Sequence, residues 1–503
     1  MHNKKYKPDQ IVKTCSKLES GLRFGPEGLR ACQLGPFAAP VYWSEKELSK
    51  TKINKEMIVE KRQELFDMLN DDTSDVICKK CEMVETKSFK DVRFDQIGVI
   101  DHAPRTVCNL RCDFCGFTVA ENEGRKEDGF VESQFDSLEI MKAFSPNDVK
   151  WDSWVDFNGG ETSLLKNINE YLDFFKKMKM RVLLFTNAVK FDQSIYDGLE
   201  NGSIQWVITS IDAGIPSTYK KTKIGNQYEK VMENSARYAY AGSKGGGNFA
   251  VKYIFTENNC SDDDIVGFAY SMLAIRPQKI WLTFDFTPFG EIPPDADNFG
   301  RFDFTKIIKA YVKLYNLLKK HGISAVHYTE GHLAKISKPG KLLLEKVLEE
   351  IKKSERLNLM KIKGRDFNES VFLKDFRNDD ESINLNDLPV LDLKNETITE
   401  KNIQKQFQID GNSKIVIAPA SPKSSTLLNK EFFKNKNIVG FVDKNSILHG
   451  KQISNKTVHD YDAINKINPD LIFIFPPEQH KFAITKSVLE NSNENTKIVF
   501  VSD

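Results

Sequence analysis

The chain has 503 residues, with 72 basic and 71 acidic side chains and a net charge of +1. That balance gives no basic excess for nucleic acid and no acidic excess for disorder, and the length suits two or three domains. A hydrophobic content of 40% is enough for ordinary cores, and no run of about 18 apolar residues offers a membrane span. The opening MHNKKYKPDQ is polar and lacks the apolar h-region of a secretory signal, so a cytoplasmic location is expected. Thiols there stay reduced, and eight cysteines, seven of them before residue 116, favour metal ligation over disulfides. Cys260 stands apart and reads as a small packed side chain.

In chain order, residues 1–95 are expected to be an irregular, cysteine-rich segment. Within it LRFGPEGLRAC reads as a hairpin turning at GPEG. From 96 to 335 apolar strand-like runs alternate with amphipathic stretches. The strands are predicted at 96–101, 154–158, 181–187, 205–212, 249–255 and 279–286, with a weaker one at 323–329. Helices are predicted at 163–178, 227–241, 262–274 and 302–320. Such alternation implies a parallel sheet wrapped by helices, and six units make an open (β/α)6 barrel whose site lies at the C-terminal ends of its strands. Residues 336–408 read as a charged amphipathic helix and an acidic linker. From 409 to 503 a second alternation predicts a Rossmann-like α/β domain. The fold class is therefore α/β: a partial barrel with an accessory domain on the C-terminal side.

The most informative residues are CNLRCDFC at 108–115, which place Cys108, Cys112 and Cys115 at C-x3-C-x2-C. Three thiolates so close in sequence suit three irons of a cubane cluster and leave the fourth iron open to a ligand. Phe114 offers a flat face beside them. This loop resembles the signature of the radical S-adenosylmethionine (SAM) enzymes. Downstream, NGGET gives Gly159, Gly160 and Glu161, similar to the family's GGE motif that holds the amino group of SAM, with Thr162 in place of the usual proline. Asn187 follows the third strand. Ser210 and Asp212, in TSIDAG, occupy the position where relatives bind ribose hydroxyls. Lys223 stands where many relatives have an arginine for the SAM carboxylate. The resemblance covers roughly 96–290 and implies a 4Fe–4S cluster, SAM, a reductant such as flavodoxin or ferredoxin, and hydrogen abstraction by a 5′-deoxyadenosyl radical. Lys252 and Asp285, on strands five and six, are expected to face either the substrate or a salt bridge. His102, His327 and His332 are expected to pack.

Cys15 and Cys32 flank the hairpin, and Cys78 and Cys81 form a C-x2-C pair. A cysteine-flanked hairpin with a later pair resembles the auxiliary-cluster domains of the SPASM and twitch type, which implies a second 4Fe–4S cluster. Here the segment precedes the barrel instead of following it, and structural zinc is the other reading. In the last domain IAPASPKSS replaces the glycines of a dinucleotide site, so NAD binding is not expected. That domain loosely resembles accessory domains of surface-polysaccharide proteins. The expectation is a radical SAM enzyme, an oxidoreductase or epimerase in kind, acting on a small or carrier-linked substrate, with a sugar preferred. A peptide maturase is the runner-up, and a non-catalytic iron–sulfur protein the reading from another class.

Overall fold

The computed structural model describes residues 5–32, 40–285 without 82 and 127–128, 287–327 without 294, 338–357, 390–392, 412–475 with gaps between 422 and 435, and 481–502 without 494. Two compact units emerge: residues 1–287 with Asn445–Leu448, and residues 288–444 with 449–503.

The first unit begins with β1 (Ile11–Thr14), followed by β2 (Gly21–Gly25), β3 (Gly28–Arg30), β4 (Val41–Ser44) and β5 (Glu85–Ser88). β1 pairs antiparallel with β5. β2 and β3 form the expected hairpin, with Gly25 opposite Gly28. Gly28 takes a φ of 131°, and a side chain there would strike the Trp43 carbonyl. The segment is more ordered than an irregular reading allows. Helix Lys55–Asn70 is capped by the Asn54 side chain and buries Ile58, Arg62, Leu65, Phe66 and Leu69. Arg62 is wholly buried, and its guanidinium donates to the carbonyls of Phe94 (2.7 Å), Gln96 (2.9 Å) and Gly21 (3.0 Å). One side chain therefore pins this helix to the approaches of two strands.

Six parallel strands follow: β6 (Ile97–His102), β7 (Val149–Phe157), β8 (Arg181–Phe185), β9 (Trp206–Ser210), β10 (Asn248–Phe255) and β11 (Lys279–Phe284). All six predicted strands are present in the predicted order, so the α/β partial-barrel class holds. β2 lies parallel against β6, and nine strands of this unit form one sheet in the order β11-β10-β9-β8-β7-β6-β2-β3-β4.

Register divides the side chains of this sheet into two faces. Val155, Phe157, Val182, Leu184, Val207, Val251, Tyr253, Ile280 and Leu282 are buried on one face. Helices pack over them: ring centroids lie 5.7 Å apart for Phe157 and Phe175 and 4.6 Å apart for Tyr253 and Phe268. Each such burial contributes about 1.5–3 kcal/mol. The other face carries Asp101 opposite Asp156, Asp156 opposite Leu183, Leu183 opposite Trp206, Ser210 opposite Lys252, and Lys252 opposite Trp281. It is polar and aromatic, and most of its side chains are only half-buried. The Asp156 charge on β7 bears on Lys252 on β10.

The second unit contains β12 (Ala325–His327), helices Thr305–Lys320 and Lys338–Leu357, and strands β13 (Val390–Asp392), β14 (Ile415–Ala418), β15 (Ile438–Val442), β16 (Gln452–Ile453), β17 (Lys456–His459), β18 (Leu471–Ile474) and β19 (Lys497–Ser502). The sheet runs β13-β19-β18-β14-β15-β17-β16, parallel except for β16. Val416, Ala418, Val442, Ile472, Ile474 and Phe500 form its core. This is the α/β accessory fold expected. His327 packs on Tyr311, whose hydroxyl lies 2.6 Å from Nδ1. Most of the expected linker, and His332, lie outside the described residues.

Candidate active site

The loop after β6 carries Cys108, Cys112 and Cys115, and Cys115 begins helix Gly116–Asn122. Local bonds shape the loop. The Cys115 N–H donates to the Cys112 carbonyl at 3.1 Å. Arg111 donates to the Cys108 carbonyl at 2.9 Å, pairs with Glu121 at 2.8 Å and lies 3.8 Å from the Phe130 ring centre. The Asp113 N–H reaches the Thr222 carbonyl at 3.0 Å, and its carboxylate accepts from Asn258 at 2.9 Å. Cys108 Sγ accepts from the Leu110 N–H at 3.4 Å and from the Asn187 amide at 3.6 Å. Burial pushes the Cys108 thiol up, and it pushes Cys112 up to about 11.

Gly159 and Gly160 explain how the second motif meets this loop. Their φ values are 87° and 49°. A Cβ on Gly159 would lie 2.6 Å from the Arg105 carbonyl oxygen, and one on Gly160 2.6 Å from that of Thr106 and closer still to Val107. The next N–H, of Glu161, bonds the Val107 carbonyl at 2.9 Å. The glycines thus let one site loop lie directly on the backbone of another. Glu161 is buried and accepts from the Ser163 N–H (3.0 Å), the Ser163 hydroxyl (2.6 Å), the Thr186 hydroxyl (2.6 Å) and the Asn187 N–H (2.6 Å). The Asn187 side chain continues to Cys108 and, at 2.7 Å, to Asn109. Three loops, after β6, β7 and β8, are stitched through one carboxylate and one amide.

After β9 the arrangement departs from simple strand alternation. Ser210 ends the strand, and its hydroxyl makes no hydrogen bond among the described residues. Asp212 lies beyond the strand with a φ of 55° and is fully buried. Its carboxylate pairs with the buried Lys223 ammonium and accepts from the Ile254 N–H at 2.6 Å. Burial works against the Lys223 charge, but Asp212 and Cys112 outweigh it and hold this lysine above its ordinary range. Lys223 lies 5.0 Å from the Phe114 ring centre. The structure therefore commits Asp212 and Lys223 to each other.

Of the four remaining predicted ligands, Cys15 and Cys32 lie towards the other end of the strands. Cys15 leads through helix Ser16–Ser20 into β2, and its Sγ accepts from the Leu18 N–H at 3.3 Å. Cys32 follows β3, which returns antiparallel, so both lie where β2 begins. Cys78 and Cys81 close a single turn, N–H to carbonyl, at 3.1 Å. Burial, then the charges of Cys32, Cys15 and Cys81, push Cys78 up to about 12. All four thiols are free of disulfides. Among the described residues no group of three or more His, Cys, Asp or Glu side chains is assembled as a site for a metal ion.

Other residues resolve differently from their sequence reading or were not singled out. Asp285 accepts from the Thr287 N–H (2.9 Å) and hydroxyl (2.7 Å). Lys252 makes no ion pair among the described residues. His102 packs on the helical side, 2.9 Å from the Ser137 hydroxyl, and burial takes it down to about 3. Sequence reasoning missed a polar group on the inner face: Asn158 donates to Asp101 (3.0 Å) and Asp156 (2.9 Å), and Arg23 pairs with Asp101. Alternation in β6 and β7 was its available signal, since both aspartates share the non-helical face.

Residues 104–264 match the family model of the radical SAM superfamily, and this stretch is a radical SAM domain. Domains of this superfamily use a 4Fe–4S cluster and SAM. No curated protein matches the chain. Among solved structures, SuiB of Streptococcus suis bound to its precursor peptide SuiA is similar at 12% identity and a TM-score of 0.35, over 53% of this chain and 54% of that one. The methyltransferase TsrM of Kitasatospora setae, with cobalamin and a [4Fe-4S] cluster, is similar at 13% identity and a TM-score of 0.30, over 37% of this chain and 34% of that one. The hydrogenase maturase HydG of Carboxydothermus hydrogenoformans is similar at 10% identity and a TM-score of 0.32, over 61% of this chain and 66% of that one. The chain thus spans about half the length of SuiB. The family assignment rests on residues 104–264 alone. No helix among the described residues is long and apolar enough to cross a membrane.

Proposed function

We propose that this chain is a radical SAM enzyme whose cluster ligands are Cys108, Cys112 and Cys115. The observation that carries the reading is the seating of the Gly159–Glu161 loop on the cysteine loop, joined to Cys108 through Glu161 and Asn187. The donor set suits the cluster in kind: three thiols from one loop, none of them in a disulfide. With cluster and SAM bound, reductive cleavage of SAM supplies a 5′-deoxyadenosyl radical for hydrogen abstraction.

The chain's own residues then position and enclose. Phe114 gives a flat wall, and Gly159 and Gly160 present backbone where side chains cannot fit. Glu161 fixes Asn187 against Cys108, and Ser210 offers a free hydroxyl to the cofactor ribose. Asp212 and Lys223 act as a pair, placing one compensated positive charge beside Cys112 and Phe114. Cys15, Cys32, Cys78 and Cys81, all free thiols, would hold a second, auxiliary iron–sulfur cluster, which would supply one-electron redox capacity. The substrate is small or carrier-linked, with a sugar preferred for the polar inner face. The setting is cytoplasmic, with flavodoxin or ferredoxin as reductant.

The test is anaerobic reconstitution with iron and sulfide, read by iron count, Mössbauer spectra and SAM cleavage. Wild type should hold about eight irons and yield 5′-deoxyadenosine with dithionite. The Cys108→Ala/Cys112→Ala/Cys115→Ala variant should keep about four irons and yield none. About four irons in wild type and none in that variant would reduce the N-terminal cysteines to zinc or structure. Intact SAM in wild type would remove the enzymatic reading.

A further inference from the structure

The inner face of the sheet holds more positive charge than its carboxylates neutralise. Asp101 is taken by Arg23 and Asn158, and Asp156 by Asn158. Three lysines have no such partner: the side chains of Lys17, Lys252 and Lys279 make neither an ion pair nor a hydrogen bond among the described residues. Each lies instead near an aromatic ring. Lys17 Nζ is 5.6 Å from the Trp154 ring centre, Lys252 Nζ 5.7 Å from that of Phe185, and Lys279 Nζ 5.4 Å from that of Trp206. Register puts Trp154, Phe185, Trp206, Lys252 and Lys279 on the one inner face.

These are unusual places for a lysine. Ordinary surface lysines are solvated, and buried ones are paired. These three are half-buried, and burial lowers the pKa of Lys252 and Lys279 below the usual lysine range. Lys17 lies in helix Ser16–Ser20, just before β2, and reaches Trp154 at the start of the inner face. Lys252 is opposite Ser210, the last residue of β9, and so lies towards the three-cysteine end. Lys279 opens β11, at the end remote from the cysteine loop. Cation–π contact offsets part of the desolvation and leaves the hydrogen-bond capacity of each ammonium unused.

We propose that Lys17, Lys252 and Lys279 form the substrate site on the inner face and that the substrate is an anion, carrying a phosphate or carboxylate on a ring that lies against the tryptophans. The proposal rests on the radical SAM reading and narrows it from a polar molecule, sugar preferred, to a negatively charged one. Charge-assisted bonds to the anionic oxygens supply the anchor. Trp154 and Trp206 supply flat apolar surface for the ring. The paired aspartates repel an anion placed against them and so favour the lysine side.

The test uses the full-length reconstituted protein with SAM, titrated at low ionic strength with glucose 1-phosphate, glucuronate and glucose. The two anions should bind at least tenfold more tightly than glucose, and the stronger of them tells phosphate from carboxylate. Lys252→Met and Lys279→Met should each weaken the anions about tenfold, the loss expected of one charge-assisted bond. The Lys→Arg versions should restore most of it. Lys177→Met, an exposed control, should change nothing. Because an ammonium without a partner stabilises little, the Met variants should keep or raise the thermal midpoint. Equal binding of glucose, or anion affinities unmoved by both Met variants, would overturn the proposal. So would a Lys252→Met variant that loses SAM affinity and keeps anion affinity, since that lysine would then serve the cofactor. SAM cleavage in wild type is scored separately: if it persists while the anions fail to bind, only this proposal falls. If SAM is not cleaved, the underlying reading falls.

Discussion

The two cysteine groups sit at opposite ends of the same strands and are assembled in opposite ways. Cys108, Cys112 and Cys115 come from one loop, and short bonds within that loop and to its neighbours shape it. Cys15, Cys32, Cys78 and Cys81 come from three segments, so a joint site for them depends on the docking of helix Lys55–Asn70 and the β2–β3 hairpin. The first group is a local motif standing on a strand end. The second is a product of tertiary structure and should fail whenever that docking fails.

Substitutions can break this contrast. The largest effect belongs to Cys112→Ala, which should abolish SAM cleavage, by more than about a thousandfold, and leave the iron of the N-terminal group in place; loss of iron from both groups would show that they do not assemble independently. Next comes Arg62→Met, which leaves three buried carbonyls without a donor and should cost roughly 3 kcal/mol or more in urea unfolding. Its iron loss should fall on the N-terminal cysteines, and an equal loss from both groups would contradict the contrast. Gly160→Ala should cost about 1–3 kcal/mol through its left-handed φ and its collision with the Val107 carbonyl. SAM affinity should drop with it, while the Mössbauer signature of the N-terminal group stays unchanged.

The smallest effect per unit of pH comes from His102, on the helical face between the two groups. Its folded pKa of about 3 lies below the ordinary 6.5. The unfolded chain therefore binds the proton first as pH falls. The stability is fully present above about pH 6.5 and declines by about 1.4 kcal/mol per unit down to pH 3. His102→Gln should flatten this slope in urea titrations of the metal-free protein. An unchanged slope would locate the acid sensitivity elsewhere.

Much of the first group was legible because its signals are local. C-x3-C-x2-C, the GGE run and six apolar strands in order were enough to place three site loops at one sheet end. Their contacts were less legible. The resemblance to the GGE motif assigns Gly159 and Gly160 to the cofactor, whereas the structure shows them admitting the backbone of residues 105–107. Strand alternation put Asp212 beside Ser210, but a left-handed φ turns it to Lys223, and nothing in TSIDAG signals that. Helices Gln193–Asn201 and Pro216–Lys223 went unpredicted because they are short. Their marks were present: Asp192 as a cap, Gly202 beyond the end, and Pro216 at the first position. In residues 1–95, the spread of cysteines gave no sign of a helix that one buried arginine ties to the carbonyls of Phe94, Gln96 and Gly21.

β6 has a further consequence as a ruler. Both cysteine groups are referenced to it, one through its paired neighbour β2 and one through the loop that leaves it, and an extended strand cannot stretch. Six residues fix a span of roughly 20 Å, so the reach between the two thiol ends is set by residue count and not by loop conformation. A two-residue insertion in β6 preserves the alternation of faces yet lengthens that span by roughly 7 Å. Such a variant would keep each end intact and ask only whether a molecule of fixed length still touches both.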